Sequence, residues 1–227
     1  MLGKSALTKY LLYAFGEIAL VVIGILIALQ INNWNEERKT GLEEEKALEQ
    51  LAEDISLEKA EFTNRSKIFS YRVWYLKKLA QEQYDSIKWE YFFPNLDHYW
   101  ANERITSAYL GLKNSNKLYI IENEILRKKI IQHYEGNAAE LNGASGQQIQ
   151  FVRNHIQGYI VENLPPQIES HEEISLVKSE LKKSQLQQLI KYQIAVDEGL
   201  IGLFKENIKF IDDILALIQL ELGREQI

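Results

Sequence analysis

Residues 11–31 read LLYAFGEIALVVIGILIALQI, an apolar run interrupted by a single charged side chain, Glu17. Crossing the hydrocarbon core of a bilayer takes about 20 such residues in a helix rising about 1.5 Å each, because only a helix satisfies its own backbone where water is missing. The flanks carry residues that interfaces favour: Lys9, Tyr10 and Tyr13 before, then Gln30, Asn32, Asn33 and Trp34 after. Tyr13 to Trp34 spans about 32 Å of helix, close to the thickness of that core. A cleaved signal peptide has a shorter apolar block and a small-x-small site, for which Ala28-Leu29-Gln30 is a poor substitute. A core helix of a soluble domain is the other alternative. The sequence therefore predicts a signal anchor: a tail at 1–9, a transmembrane helix at 10–34 and a domain at 35–227.

Orientation rests on Lys4, Lys9 and the α-amine before the run, against Arg38 and Lys39 set among glutamates after it. The positive-inside bias places the tail in the cytoplasm and the domain outside it. Residues 1–34 sum to +1, so against a net charge of −6 the rest of the chain carries −7. An acidic domain repels phosphate backbones, and no basic run reverses this, which argues against nucleic-acid binding. Cysteine is absent, so disulfides, thiolate metal sites and cysteine nucleophiles are excluded.

With only Pro94, Pro165 and Pro166 to interrupt them, long helices are allowed. One is expected over 35–83, where Leu48, Leu51, Ile55, Phe62, Phe69, Leu76 and Leu79 fall on a stripe spaced by three and four. Glu58, Arg65 and Arg72 share that stripe. Residues 84–100 break the pattern as an aromatic turn, and helices follow at about 103–113 and, behind an N-capping Asn123, at 123–163. Ser170 and Glu173 form a capping box that opens a last helix, 171–223. There Ile201, Phe204, Ile208, Ile211, Leu215, Ile218 and Leu222 repeat with heptad spacing. Strand signals are nearly absent. The expected fold is all-α: a transmembrane helix continuing into an elongated antiparallel helical bundle with coiled-coil character.

Two stretches resemble a known family. Lys9-Tyr10-Leu11-Leu12-Tyr13-Ala14, Gly16-Glu17-Ile18, the run Leu20 to Leu29 and Asn32-Asn33-Trp34-Asn35-Glu36 are similar to the start of small bacterial inner-membrane proteins catalogued only as a domain of unknown function. Tyr109, Leu112-Lys113, Ser115, Leu118, Ile121, Asn123, Leu126 and Tyr134 resemble a second stretch of that family, with Asn116 where glycine is expected. Asparagine tolerates a left-handed turn better than most residues. The resemblance implies a Gram-negative-type envelope, a bacterial inner-membrane anchor and a periplasmic domain, and brings no activity.

Several residues invite a functional reading. A carboxylate in hydrocarbon is costly, so Glu17 implies a polar partner or reach to the headgroups. Tyr13, Glu17, Gly24 and Ala28 share a small, polar helix face suited to self-association or to another membrane subunit. Trp89, Tyr91, Phe92, Phe93, Tyr99 and Trp100 would be a docking patch if exposed, or a plug for the bundle core. His98, His133, His155 and His171 lack the spacing of helical metal sites. Arg65 and Arg72 face either an anionic ligand or acids such as Asp197 or Asp212. No catalytic, cofactor or metal motif emerges. The expectation is a non-enzymatic, membrane-anchored interaction protein that forms a homo-oligomer or joins another membrane subunit; a subunit of a channel or energy-transducing complex using Glu17, and a periplasmic sensor or ligand-binding domain, are the alternatives.

Overall fold

A computed structural model describes residues 4–224, with side chains from 12 to 223. The tail whose lysines set the expected orientation therefore has its side chains outside the described residues. Every element is helical, with no strand among the described residues. The chain divides into two compact units, residues 1–47 and 48–227, and the first helix, α1 (Lys4–Ala80), contributes to both.

In the first unit, the apolar side chains from Leu12 to Ile31 have no cover. The valine, leucine, isoleucine and phenylalanine residues over that stretch are 47–76% exposed. This helix is long and apolar enough to cross a membrane.

In the second unit the stripe read from the sequence is the core face of α1: Leu48, Leu51, Ile55, Phe62, Phe69, Leu76 and Leu79 are all buried. The helix stops at Ala80 because Glu82 turns left-handed (φ 58°), letting Gln83 N–H reach the Lys78 carbonyl. Two short turns and α2 (Phe92–Leu96) follow. Residues 97–106 then cross the bundle as a strap with no helix until α3 (Ser107–Asn114). The expected helix at 103–113 thus starts late, and the reason is tertiary. Asp54 of α1 accepts from Ser107 Oγ and Ala108 N, both at 2.8 Å, and so caps α3 where it begins. Asn116 is left-handed (φ 55°) and closes α3.

The helix expected from Asn123 runs to Asn163 as α4 (Glu124–Ile131), α5 (Ala138–Phe151) and α6 (Gln157–Asn163), joined by π-helical segments Gln132–Asn137 and Val152–Ile156. Asn123 caps it through Leu126 N. The capping box of Ser170 and Glu173 is present, but it opens a short helix, α7 (His171–Leu181). Where one helix was expected to Gly223, a break at Lys182–Lys183 separates α7 from α8 (Ser184–Arg224). The break lets Leu181 and Leu186 enter one core cluster with Leu76 and Phe92.

α8 runs antiparallel to α1: Lys59 meets Asp212 and Lys77 meets Glu198. Its buried seam differs in phase from the expected one. Leu186, Ile190, Gln193, Asp197, Leu200, Phe204, Asn207, Ile211, Ile214 and Ile218 face the core. Ile201, Ile208, Leu215 and Leu222 lie half-buried on its flank.

Candidate functional site

The two facing seams carry Glu58, Arg72 and Asp197 at positions where a bundle normally places leucine, and each of these three is answered from another element. At the level of Arg72, α8 supplies Asp197, fully buried, with Arg72 Nε 3.2 Å from its carboxylate. Arg72 also donates to the carbonyls of Asn95 (2.8 Å) and Leu96 (3.3 Å), which ties the end of α2 to α1. Gln148 of α5 and Gln193 of α8 each donate to Asp197 Oδ1 at 2.8 Å. Burial still pushes the Asp197 carboxyl up to about 6, against the downward pull of Arg72 and both amides. Burial likewise lowers Arg72, opposed by Asp197 and Asp97.

Fourteen residues earlier in α1, Glu58 meets the strap and the first π-helical segment. Arg104 grips it with Nε on Oε1 (2.5 Å) and Nη2 on Oε2 (2.7 Å), and His133 Nε2 lies 2.5 Å from Oε2. His133 Nε2 also lies 2.9 Å from Arg104 Nη2, and His133 Nδ1 is buried without a hydrogen-bond partner. Arg104 also donates to the His133 carbonyl and lies over the Tyr134 ring. Burial pulls Glu58 upward, but the hydrogen bonds and charges of His133 and Arg104 win and hold it below the usual carboxylate range.

The strap joins these two polar layers. Arg104 fastens it to Glu58, while Trp100 N–H donates to Gln148, the amide that also holds Asp197, and the Trp100 carbonyl accepts from Ser145. Trp100 packs edge-on against Phe204. Between strap and α1 lies a cleft of about 850 Å³, with Leu57, Glu61, Asn64 and Arg65 on one wall and Tyr99 and Glu103 on the other.

The sequence candidates separate. Arg72 finds Asp197, but Asp212 is taken by Lys59 and Arg65 by its neighbour Glu61 at 2.6 Å. The six aromatics do not make one exposed patch. Phe92 and Trp100 are buried, Trp89, Phe93 and Tyr99 are half-buried, and only Tyr91 is exposed, because α2 folds the cluster onto the core. Tyr13, Glu17, Gly24 and Ala28 are all exposed, with open space where a Cβ on Gly24 would stand. No group of metal-holding side chains occurs among the described residues. Glu58, Arg104 and His133 as a constellation escaped sequence reading, since 46 and 29 residues separate them. The buried Tyr109 and Tyr134 stack at 4.5 Å and, with Ile121 and Leu126, set four residues of the second recognised stretch in the core.

Among the described residues these features define an all-α protein with one helix long and apolar enough to cross a membrane and a helical domain whose core is crossed by two layers of paired charged side chains. The chain belongs to a family of unknown function, DUF6090, whose model matches residues 17–153, more than half of the sequence. That range contains Glu58, Arg104 and His133 whole, and Arg72 without its partner Asp197. No curated protein and no solved structure matches the chain.

Proposed function

We propose that this is a non-enzymatic, membrane-anchored interaction protein. Its apolar helix crosses the bacterial inner membrane with the N-terminus in the cytoplasm, and its helical domain stands in the periplasm. One observation carries the reading: a full bilayer's length of apolar side chains is uncovered in a protein whose other long helix face is packed. Water does not tolerate so large an apolar surface, and a bilayer covers it without a specific partner. The domain's ionised groups support a structural role, for Arg72, Asp197, Glu58 and Arg104 all hold one another or the strap.

Within the bilayer the face of Tyr13, Glu17, Gly24 and Ala28 associates with a second copy or with another membrane subunit. Gly24 and Ala28 allow close approach, and the partner receives the Glu17 carboxylate. The absence of cysteine makes the test direct. Single cysteines placed along residues 13–31 and oxidised in native membranes crosslink most at 13, 17, 24 and 28. Recovery of the intact chain in the soluble fraction refutes the anchor; crosslinking with no preferred face refutes the association.

A further inference from the structure

We propose that the cleft between α1 and the strap is a binding site for a short neutral saccharide. Its volume, about 850 Å³, falls within the range of about 300–1,000 Å³ that small-molecule sites occupy. The wall is pre-organised, because Trp100 and Arg104 pin the strap at two buried points, and little order is lost when a ligand enters.

The chemistry of the wall selects the ligand. Both guanidinium groups that reach the cleft are committed to carboxylates, Arg65 to Glu61 and Arg104 to Glu58. A phosphate or carboxylate ligand therefore meets no uncommitted guanidinium and faces Glu103 as well, while His98, which also lines the cleft, is held toward its neutral form by burial and by the charges of Arg72 and Arg65. Glu103 and Asn64 are exposed to the cleft and make no hydrogen bond or ion pair among the described residues. A wholly apolar ligand would strip water from both without replacing it. A saccharide does replace it. Its hydroxyls donate to the Glu103 and Glu61 carboxylates, exchange both ways with the Asn64 amide, and accept from the remaining N–H groups of Arg65. Its C–H surfaces lie against Leu57 and Tyr99. The site does not depend on how the chain is anchored.

The test is titration calorimetry on the full chain in a zwitterionic detergent without a sugar headgroup, with maltotriose, chitotriose, inorganic phosphate and spermidine as separate probes. A trisaccharide gives saturable heat at millimolar concentration. Glu103→Ala and Asn64→Ala each weaken it about tenfold, as loss of a hydrogen-bond partner does. Both side chains are exposed, so helical content and unfolding midpoint stay at the wild-type values. The proposal is overturned by the absence of saturable heat from both trisaccharides, by binding that neither substitution alters, or by phosphate or spermidine binding where the saccharides do not.

Discussion

Removing Asp197 strands a charge that has no way to vanish. Arg72 is about as buried as its partner and keeps its proton at any ordinary pH, so in Asp197→Ala the guanidinium retains the Asn95 and Leu96 carbonyls and only the weaker charge of Asp97. Breaking a buried pair in this way costs about 3–5 kcal/mol. For a domain of this size each kcal/mol lowers the unfolding midpoint by about 2–4 °C, so a fall of at least about 6 °C is expected. Replacing both partners with apolar residues, Arg72→Met with Asp197→Leu, removes the stranded charge along with the pair. The double variant therefore recovers much of the loss, with a coupling of about 2 kcal/mol or more. The acid side supplies a second reading of the same pair. Burial raises the folded Asp197 to about 6 from an ordinary 3.8, so the fold binds that proton more tightly than the unfolded chain does. Its contribution favours folding fully below about pH 4 and is lost as pH rises through about 6. Asp197→Asn removes that slope. Thermal unfolding of the full chain in detergent, followed by far-UV circular dichroism across pH, measures both effects. A cost below about 1 kcal/mol for Asp197→Ala, or coupling near zero, would refute the argument that the two charges hold each other.

Glu58 has the opposite sign. Held below the ordinary 4.5 by His133 and Arg104, it stabilises the fold above that value and loses its contribution as pH falls through the folded pKa. Glu58→Gln, which strands Arg104, is therefore destabilised by about 3 kcal/mol or more at neutral pH and approaches wild type in strong acid; unfolding midpoints against pH check this. Glu82→Gly relieves a left-handed residue that carries a side chain and raises stability by about 0.5–1 kcal/mol in denaturant titration, while Asn116→Gly gains less. Phe92→Ala costs about 3–5 kcal/mol and Tyr91→Ala less than about 0.5, because one fills the core and the other stands in solvent. Equal costs would show that the aromatic segment is not a core plug.

The seam of α1 was legible because it is mostly apolar. Seven hydrophobic residues at spacings of three and four mark it, and Glu58 and Arg72 could be recognised as intruders on a stripe already defined. The seam of α8 was not legible in phase. Phe204, Ile211 and Ile218 belong to both possible stripes, and between them Ile201, Ile208, Leu215 and Leu222 look more hydrophobic than Leu200, Asn207 and Ile214. What turns the helix to the polar side is Asp197, which must reach Arg72, with Gln193 alongside. A hydrophobic count favours the wrong face wherever buried polar groups find partners on another helix. The strap escaped for a related reason. Glu103 to Lys113 reads as a helix locally, but Arg104 is drawn into the core by Glu58, and Asp54 sets the first turn of α3.

Local sequence alone therefore determined the apolar anchor-length helix, the helical class, the capping of α4 and α7, and the left-handed turn at Asn116. Each depends on residues within a turn or two of one another, where propensity and spacing act directly. Tertiary structure alone decided which face of α8 is inside, where α7 ends, and that Glu58, Arg104 and His133 meet. Those outcomes depend on the desolvation of charged groups, which is favourable only when a partner distant in sequence arrives at hydrogen-bonding distance. Nothing local in the chain records that arrival.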